Sequence, residues 1–294
     1  MIELWVILSI IAASLWAITS LINKFVLSHE MRDPILATII DGANVFVLFI
    51  VASFIFGKGI LIPFHLIIVS LLAGFFYVSS AYFYYSAVKK GEISRITSFL
   101  SISPIFVLIF AFLFLNERLT MLNYLGIILV VSGSFLISIK KDHSKYIFSA
   151  AFFVTIISAL FIALRDLFFK FASLQIEVLS ILFWIGVGSG LASLSLFVRH
   201  HPHVRKKSKQ GIKHLILGRF IASVSLLIFF IAISLTSVSL VSALVKIEVL
   251  FVFIAATVLS YFHSKFIKEK INSMIIFQKL ISIVLILAGI FFII

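Results

Sequence analysis

Lys246 and Glu248 stand two residues apart inside LVSALVKIEVLFVFIAATVLSYF, a stretch from Leu240 to Phe262 that is otherwise almost wholly apolar. A helix needs about 20 such residues to cross a hydrocarbon core about 30 Å thick. At about 1.5 Å per residue, Glu248 falls roughly 14 Å into that core. A charge at such depth costs at least ~2.5 kcal/mol on insertion scales and faces the protein interior or a water-filled cavity. A carboxyl can shed that cost by taking up a proton. Glu248 therefore suits a site that exchanges protons or holds a cationic group, with a structural ion pair as the alternative. Lys246 lies about 200° further round the same helix, so the two do not share one partner. Lys246 either snorkels toward the interface or meets an anionic group of a substrate.

Other polar residues interrupt apolar runs. Arg165 and Asp166 are adjacent, so on a helix they diverge by about 100° and can serve different partners. Structural pairing is the reading preferred for both, with Asp166 a possible mate for Lys246. Asp41 lies about a turn and a half into its run. Arg95 is close to the start of another run and reads as an interfacial anchor, as do Asn23 and Lys24. In YVSSAYFYYSAVKK, Tyr77, Ser80, Ala81 and Tyr84 share a helical face. That face can line a cavity, whereas Tyr82 and Tyr85 fit the aromatic belt at a membrane surface. Trp16 and Trp184 are candidates for stacking on a substrate, with packing as the competing role. Pro104 removes one backbone bond in mid-run and predicts a kink or hinge there. GVGSG places Gly186 and Gly190 in a close-packing GxxxG. The histidines of RHHPHVRKKSKQGIK match no metal-site spacing, and the segment reads as a basic loop. Glu117 and Arg118 of NERLT read as an exposed helix-ending turn. No nucleophile–base set, HExxH or phosphate loop gives catalysis any support, and no cofactor is expected.

These residues need elements to hold them. The chain is 63% hydrophobic and 12% charged, with a mean hydropathy of +1.27. Soluble domains carry about a quarter charged residues, so an integral membrane protein is predicted. Ten helical spans are expected, at 4–27, 34–56, 64–87, 93–115, 121–139, 146–172, 176–198, 212–235, 239–262 and 274–294. The first is read as a span rather than a cleavable leader. The net charge of +13 is carried mainly in short connections, which points to anionic lipid as a partner rather than nucleic acid. Fifteen Lys and Arg fall in the odd-numbered connections and two, Lys58 and Arg118, in the even-numbered ones. The positive-inside rule puts the odd connections in the cytoplasm and both termini outside.

The sequence also repeats. Shifted by 145 residues, SRITSFLSISPIFV from Ser94 lies over SLVSALVKIEVLFV from Ser239, and LWAITSLINKF from Leu15 lies over LFIALRDLFFK from Leu160. Five spans is an odd number, so the second half enters the membrane from the opposite side. Inverted repeats of this kind build secondary transporters with a site near the midplane. The predicted division is 1–139, a linker at 140–145, and 146–294.

LWAITSLINK and ISPIFVLIFAFLFLNERLTMLNYLGIILVVSG, with a weaker echo in KEKINSMIIFQKLISIVLILAG, resemble the ten-helix EamA-type members of the drug/metabolite transporter superfamily. The resemblance implies an all-α protein that carries a small metabolite, amino-acid-like or drug-like, across the cytoplasmic membrane by alternating access. On this chain the expected substrate or proton site is Glu248, Lys246, Trp16, Tyr84, Asp41 and Arg95, with Pro104 as hinge. An exchanger for anionic metabolites using Lys246, Arg95 and Arg165 is the second reading, and a non-transporting scaffold subunit the third. A homodimer is compatible with each. Two features depart from the family pattern: Glu248 and Val249 stand where the first half has Ser103 and Pro104, and family members are usually drawn with cytoplasmic termini.

Overall fold

In the computed structural model, the described residues are 3–26, 33–56, 60–90, 96, 99–136, 150–200, 209–262 and 273–294. All of the regular elements among them are helices: α1 (Leu4–Phe25), α2 (Pro34–Ile55), α3 (Phe64–Lys90), α4 (Ser103–Phe114), α5 (Met121–Leu136), α6 (Ala150–Ser173), α7 (Val178–His200), α8 (Lys209–Leu235), α9 (Val238–Leu244), α10 (Glu248–Phe262) and α11 (Ser273–Ile293). Among the described residues seven segments are long and apolar enough to cross a membrane, and three shorter apolar helices accompany them. Each of the ten expected spans holds a helix, although α3 runs on to Lys90, α7 runs on to His200 and α8 begins at Lys209, beyond the expected ends. The protein is an all-α integral membrane protein of ten spanning segments arranged as two inverted five-helix repeats.

Packing follows that symmetry. α1 packs on α8 as α6 packs on α3, and α2 packs on α8 as α7 packs on α3. α4 lies against α6 as α9 and α10 lie against α1. Each relation maps into the other when every span is advanced by five. Pairs α2–α7, α5–α11 and α4–α9 map onto themselves.

Direction alternates along the chain, and the bonds between helices confirm it. Asn123 Nδ2, at the start of α5, donates to Phe292 O at the end of α11 (3.2 Å), while Gln278 Nε2 near the start of α11 donates to Leu136 O at the end of α5. Trp184 Nε1 in the first turns of α7 donates to Ile60 O in the second connection. The face carrying the even-numbered connections is here the even face, and its opposite the odd face. The glycines of α7 set its distance from its neighbours. A Cβ on Gly188 would stand 2.4 Å from Leu71 O of α3, and one on Gly190 would stand 2.6 Å from the Phe46 ring of α2.

Two spans are broken. The fourth turns at Ser101–Ile102 and restarts at Ser103, with Pro104 in the first helical turn. Pro104 is therefore not a kink inside a continuous helix; it starts one, where its missing N–H would have no partner in any case. The ninth span breaks at the equivalent place, through a 3₁₀ turn at Val245–Ile247, and restarts at Glu248. Large buried side chains include Phe49, Leu66, Phe169, Leu182, Phe229 and Phe230 toward the even face and Tyr85, Ile96 and Leu215 toward the odd face. Phe169 stacks on Phe230 with centroids 4.1 Å apart.

Candidate functional site

The break in the ninth span places its two charges. Lys246 lies in the turn that ends α9, and Glu248 is the first residue of α10. A helix carries partial negative charge at its C-terminus and positive charge at its N-terminus. Each charge thus sits at the helix end that favours it, which lowers the cost of holding it near the bilayer middle. Glu248 Oε1 accepts a hydrogen bond from Ser20 Oγ of α1 (2.8 Å). Lys246 has Glu248, Asp166 and Arg165 as electrostatic neighbours. Both Lys246 and Glu248 are half-buried, in contrast to the fully buried pairs around them.

Arg165 and Asp166 form the structural pair preferred for them, with Lys246 a further electrostatic neighbour of Asp166. Their side chains fold onto each other: Arg165 Nε donates to Asp166 Oδ1 at 2.8 Å and Nη2 stands 2.7 Å from the same oxygen. The pair is buried. The Arg165 guanidinium also lies 5.7 Å from the ring centroids of Phe229 and Phe230 and 5.9 Å from that of Tyr77, a setting that stabilises a desolvated cation.

Asp41 gathers a second buried cluster toward the odd face. Tyr77 donates to Oδ1 (2.8 Å), Tyr85 donates to Oδ2 (3.2 Å), and Arg219 Nη1 lies 3.5 Å from Oδ2. Arg219 Nη2 donates to Asn23 Oδ1, which ties α8 to α1. Asn23 and Tyr85 are buried inside the bundle rather than placed at the membrane surface as their positions near span ends suggested. Sequence reading missed Arg219 altogether. Its signal was an arginine well inside the eighth span, beyond the connection whose basic residues were counted.

Of the aromatic candidates, Trp16 packs on Phe229 with centroids 5.1 Å apart and is half-buried. Tyr84 is half-buried, 5.1 Å from Tyr85, with Arg219, Glu248 and Asn23 as electrostatic neighbours. Trp184 is held by its bond to Ile60 O, away from this group. Arg95 lies outside the described residues. The structure thus brings Glu248, Lys246, Tyr84 and Trp16 toward the centre of the bundle with Ser20. Arg165–Asp166 and Asp41–Arg219 flank them.

Another charged group was read from sequence as an exposed turn. Asn116 adopts a left-handed conformation (φ 54°) after α4, a conformation Asn tolerates better than most residues. The chain turns there and sends Glu117 across to the other half. Glu117 is half-buried and caps α9: it accepts from Ser237 Oγ (2.7 Å), Ser239 Oγ (2.9 Å) and Val238 N (2.9 Å). Beside it, Lys170 Nζ donates to Ile233 O (2.9 Å) and Thr236 O (2.7 Å) at the end of α8.

A ten-span inverted-repeat protein with two broken spans and charges at one break has the architecture of a membrane carrier. Residues 3–139 match the EamA-like transporter family. A solved crystal structure, titled only as that of a protein, aligns over 98% of this chain and 95% of its own with a TM-score of 0.73 at 15% identity, which shows a shared fold. A curated relative from Sinorhizobium sp, described as an uncharacterized transporter in the cobO 3'region, is 34% identical over 56 residues. That match takes in 19% of this chain and 40% of the relative's length. The protein is a multi-pass membrane protein whose first half is similar to a family of transporters.

Proposed function

We propose that the protein is a secondary active transporter of the cytoplasmic membrane that carries an amino-acid-like solute or organic cation by alternating access, coupled to protons. Residues 1–139 and 146–294 act as the two moving halves. Glu248 is the proton or cation site, Ser20 holds its carboxylate, and Lys246 is its charge partner. Trp16 and Tyr84 border the same place. One observation carries the reading. Spans four and nine break at repeat-equivalent positions and pack against each other, and the half-buried Lys246 and Glu248 occupy the ends created by one break. Discontinuous helices of this kind build midplane sites in carriers. Both termini lie outside by the loop charges, and the basic odd-face connections meet anionic lipid.

The test is flux into proteoliposomes under an imposed pH gradient, with a lumenal pH dye and two probes: a panel of labelled amino acids, and ethidium. A pH-driven uptake that Glu248→Gln abolishes, while the variant still binds or exchanges the solute, is the expected result. Uptake that stays pH-driven in Glu248→Gln overturns the assignment. A half-exposed Lys246 also favours a second reading, counterflow of anionic metabolites without pH dependence. Its other basic candidate within the described residues, Arg165, is already engaged by Asp166.

A further inference from the structure

The eighth connection is clamped from both sides. α8 ends at Leu235 and α9 starts at Val238, so two residues join them. Lys170 of α6 binds the last carbonyls of α8, and Glu117 of the fourth connection binds the first donors of α9. The base sits at a helix C-terminus and the acid at a helix N-terminus, the arrangement each dipole favours. The two charges are also electrostatic neighbours. Glu117 comes from the first half of the chain, and everything it binds comes from the second. Beneath this group on the even face lies the stacked Phe169–Phe230 pair. Toward the odd face Ser20 and Tyr84 are half-buried, beside the buried Asn23, Asp41, Tyr85 and Arg219.

We infer that Glu117 and Lys170 form the latch of the even face, and that opening the central site to that face requires Glu117 to release the start of α9. The inference rests on the alternating-access reading. In the state seen here the latch is closed, and on this inference the site then opens toward the odd face. Release frees α9 to move, and α9 carries the turn with Lys246 and the start of Glu248's helix. Glu117 touches no solute; it is a positioning residue that acts through α9.

The chain has no cysteine, so single reporters can be read without background. Ser242→Cys sits four residues into α9 at a position that is 3% exposed. Ser20→Cys reports the other side of the site. Each is labelled in sealed membranes with the impermeant reagent methanethiosulfonate ethyltrimethylammonium, applied from one face at a time. Three bonds to a carboxylate are at stake, and a single bond to a charged group is worth roughly a factor of ten in an equilibrium. Glu117→Ala should therefore raise labelling of Ser242→Cys from the even face by about 10-fold or more and lower labelling of Ser20→Cys from the odd face. Glu117→Asp should restore part of the parent rates. If neither rate changes in Glu117→Ala, the latch is wrong and alternating access is untouched. If both rates rise together, the bundle has merely loosened and the latch is also wrong. If Ser242→Cys still labels rapidly from the even face once substrate exchange is frozen with Ser20→Cys open to the odd face, alternating access itself fails. As a second variant, Glu117→Cys with Ser237→Cys, with Ser20 left in place, should lose on cross-linking by a short bismaleimide the pH-driven uptake it shows before the linker is added; uptake that survives the cross-link overturns the inference.

Discussion

Asp166→Asn isolates the worth of the buried pair beside the central charges. The substitution keeps the shape and removes the charge. Arg165 places two nitrogens within 2.8 Å of one Asp166 oxygen, and the two residues are 6% and 1% exposed. At an effective dielectric near 20, unit charges 4 Å apart attract by about 4 kcal/mol. Removing one partner of a buried pair costs about 3–5 kcal/mol, because the other charge is left without compensation. The rings of Tyr77, Phe229 and Phe230 around the guanidinium return about 0.5–2 kcal/mol of this. The net loss is about 2–4 kcal/mol, which for a chain of this size is a fall in melting temperature of roughly 5–15 °C. Removing both charges together, as in Arg165→Met with Asp166→Leu, leaves nothing stranded in the pair and should cost far less than the single change. Tryptophan-fluorescence melting in detergent measures all three variants and the wild type, and closes the double-mutant cycle. Melting of Asp166→Asn within two or three degrees of wild type, or of the double variant as low as the single, would refute the structural role. Loss of flux in Asp166→Asn at unchanged stability would move the residue into the solute site.

Asp41→Asn should destabilise by about 3–5 kcal/mol for the same reason, since it leaves Arg219 facing neutral Tyr77, Tyr85 and Asn23; detergent melting tests this, and a neutral result would make the cluster dispensable to folding. Gly74→Ala should lower stability by about 1–3 kcal/mol. Its Cβ would stand 2.3 Å from Ile185 O and 2.7 Å from Ser189 N, so α3 and α7 must part, and an unchanged melting curve would contradict that packing. Impermeant labelling in intact cells should reach Arg118→Cys in the fourth connection and spare Arg199→Cys at the end of α7; the reverse pattern would overturn the orientation drawn from loop charge.

The spans were legible because a run of about 20 apolar residues rarely forms anything but a membrane helix, and the repeat was legible because Ser94–Val107 and Ser239–Val252 align without a gap. The break in the fourth span announced itself through Pro104, although as a helix start rather than a kink. The break in the ninth has no proline. It was not expected from the sequence, although the repeat lays Glu248 over Ser103. Side-chain partners were far less legible. Asn23 and Tyr85 sit near span ends, where an interfacial residue and a buried one look alike in sequence. Asn23 turned out to accept from Arg219, and Tyr85 to donate to Asp41. Arg165 and Asp166 defeated a purely angular argument, because a long guanidinium can curl across 100° to its own neighbour. Glu117 looked exposed because its destination, the start of α9, is about 120 residues away in sequence.

The symmetry of the bundle and the asymmetry of its charges divide the work between them. In the proposed alternating access, two halves related by advancing every span by five exchange shapes, and the exchange moves the tight packing from one face to the other. That motion needs no charge. The first half breaks at Ser103–Pro104, which holds a turn through the fixed geometry of proline and titrates nothing. The second breaks at Lys246–Glu248, where ionisable groups hold the same turn through helix-end electrostatics. A turn held by charge responds to whatever neutralises that charge, whether a proton or a cationic solute at Glu248 or an anion at Lys246. On the proposed mechanism, the ninth span is therefore the one among the described residues placed to couple binding to movement. It is also the span whose first residues Glu117 grips from the other half.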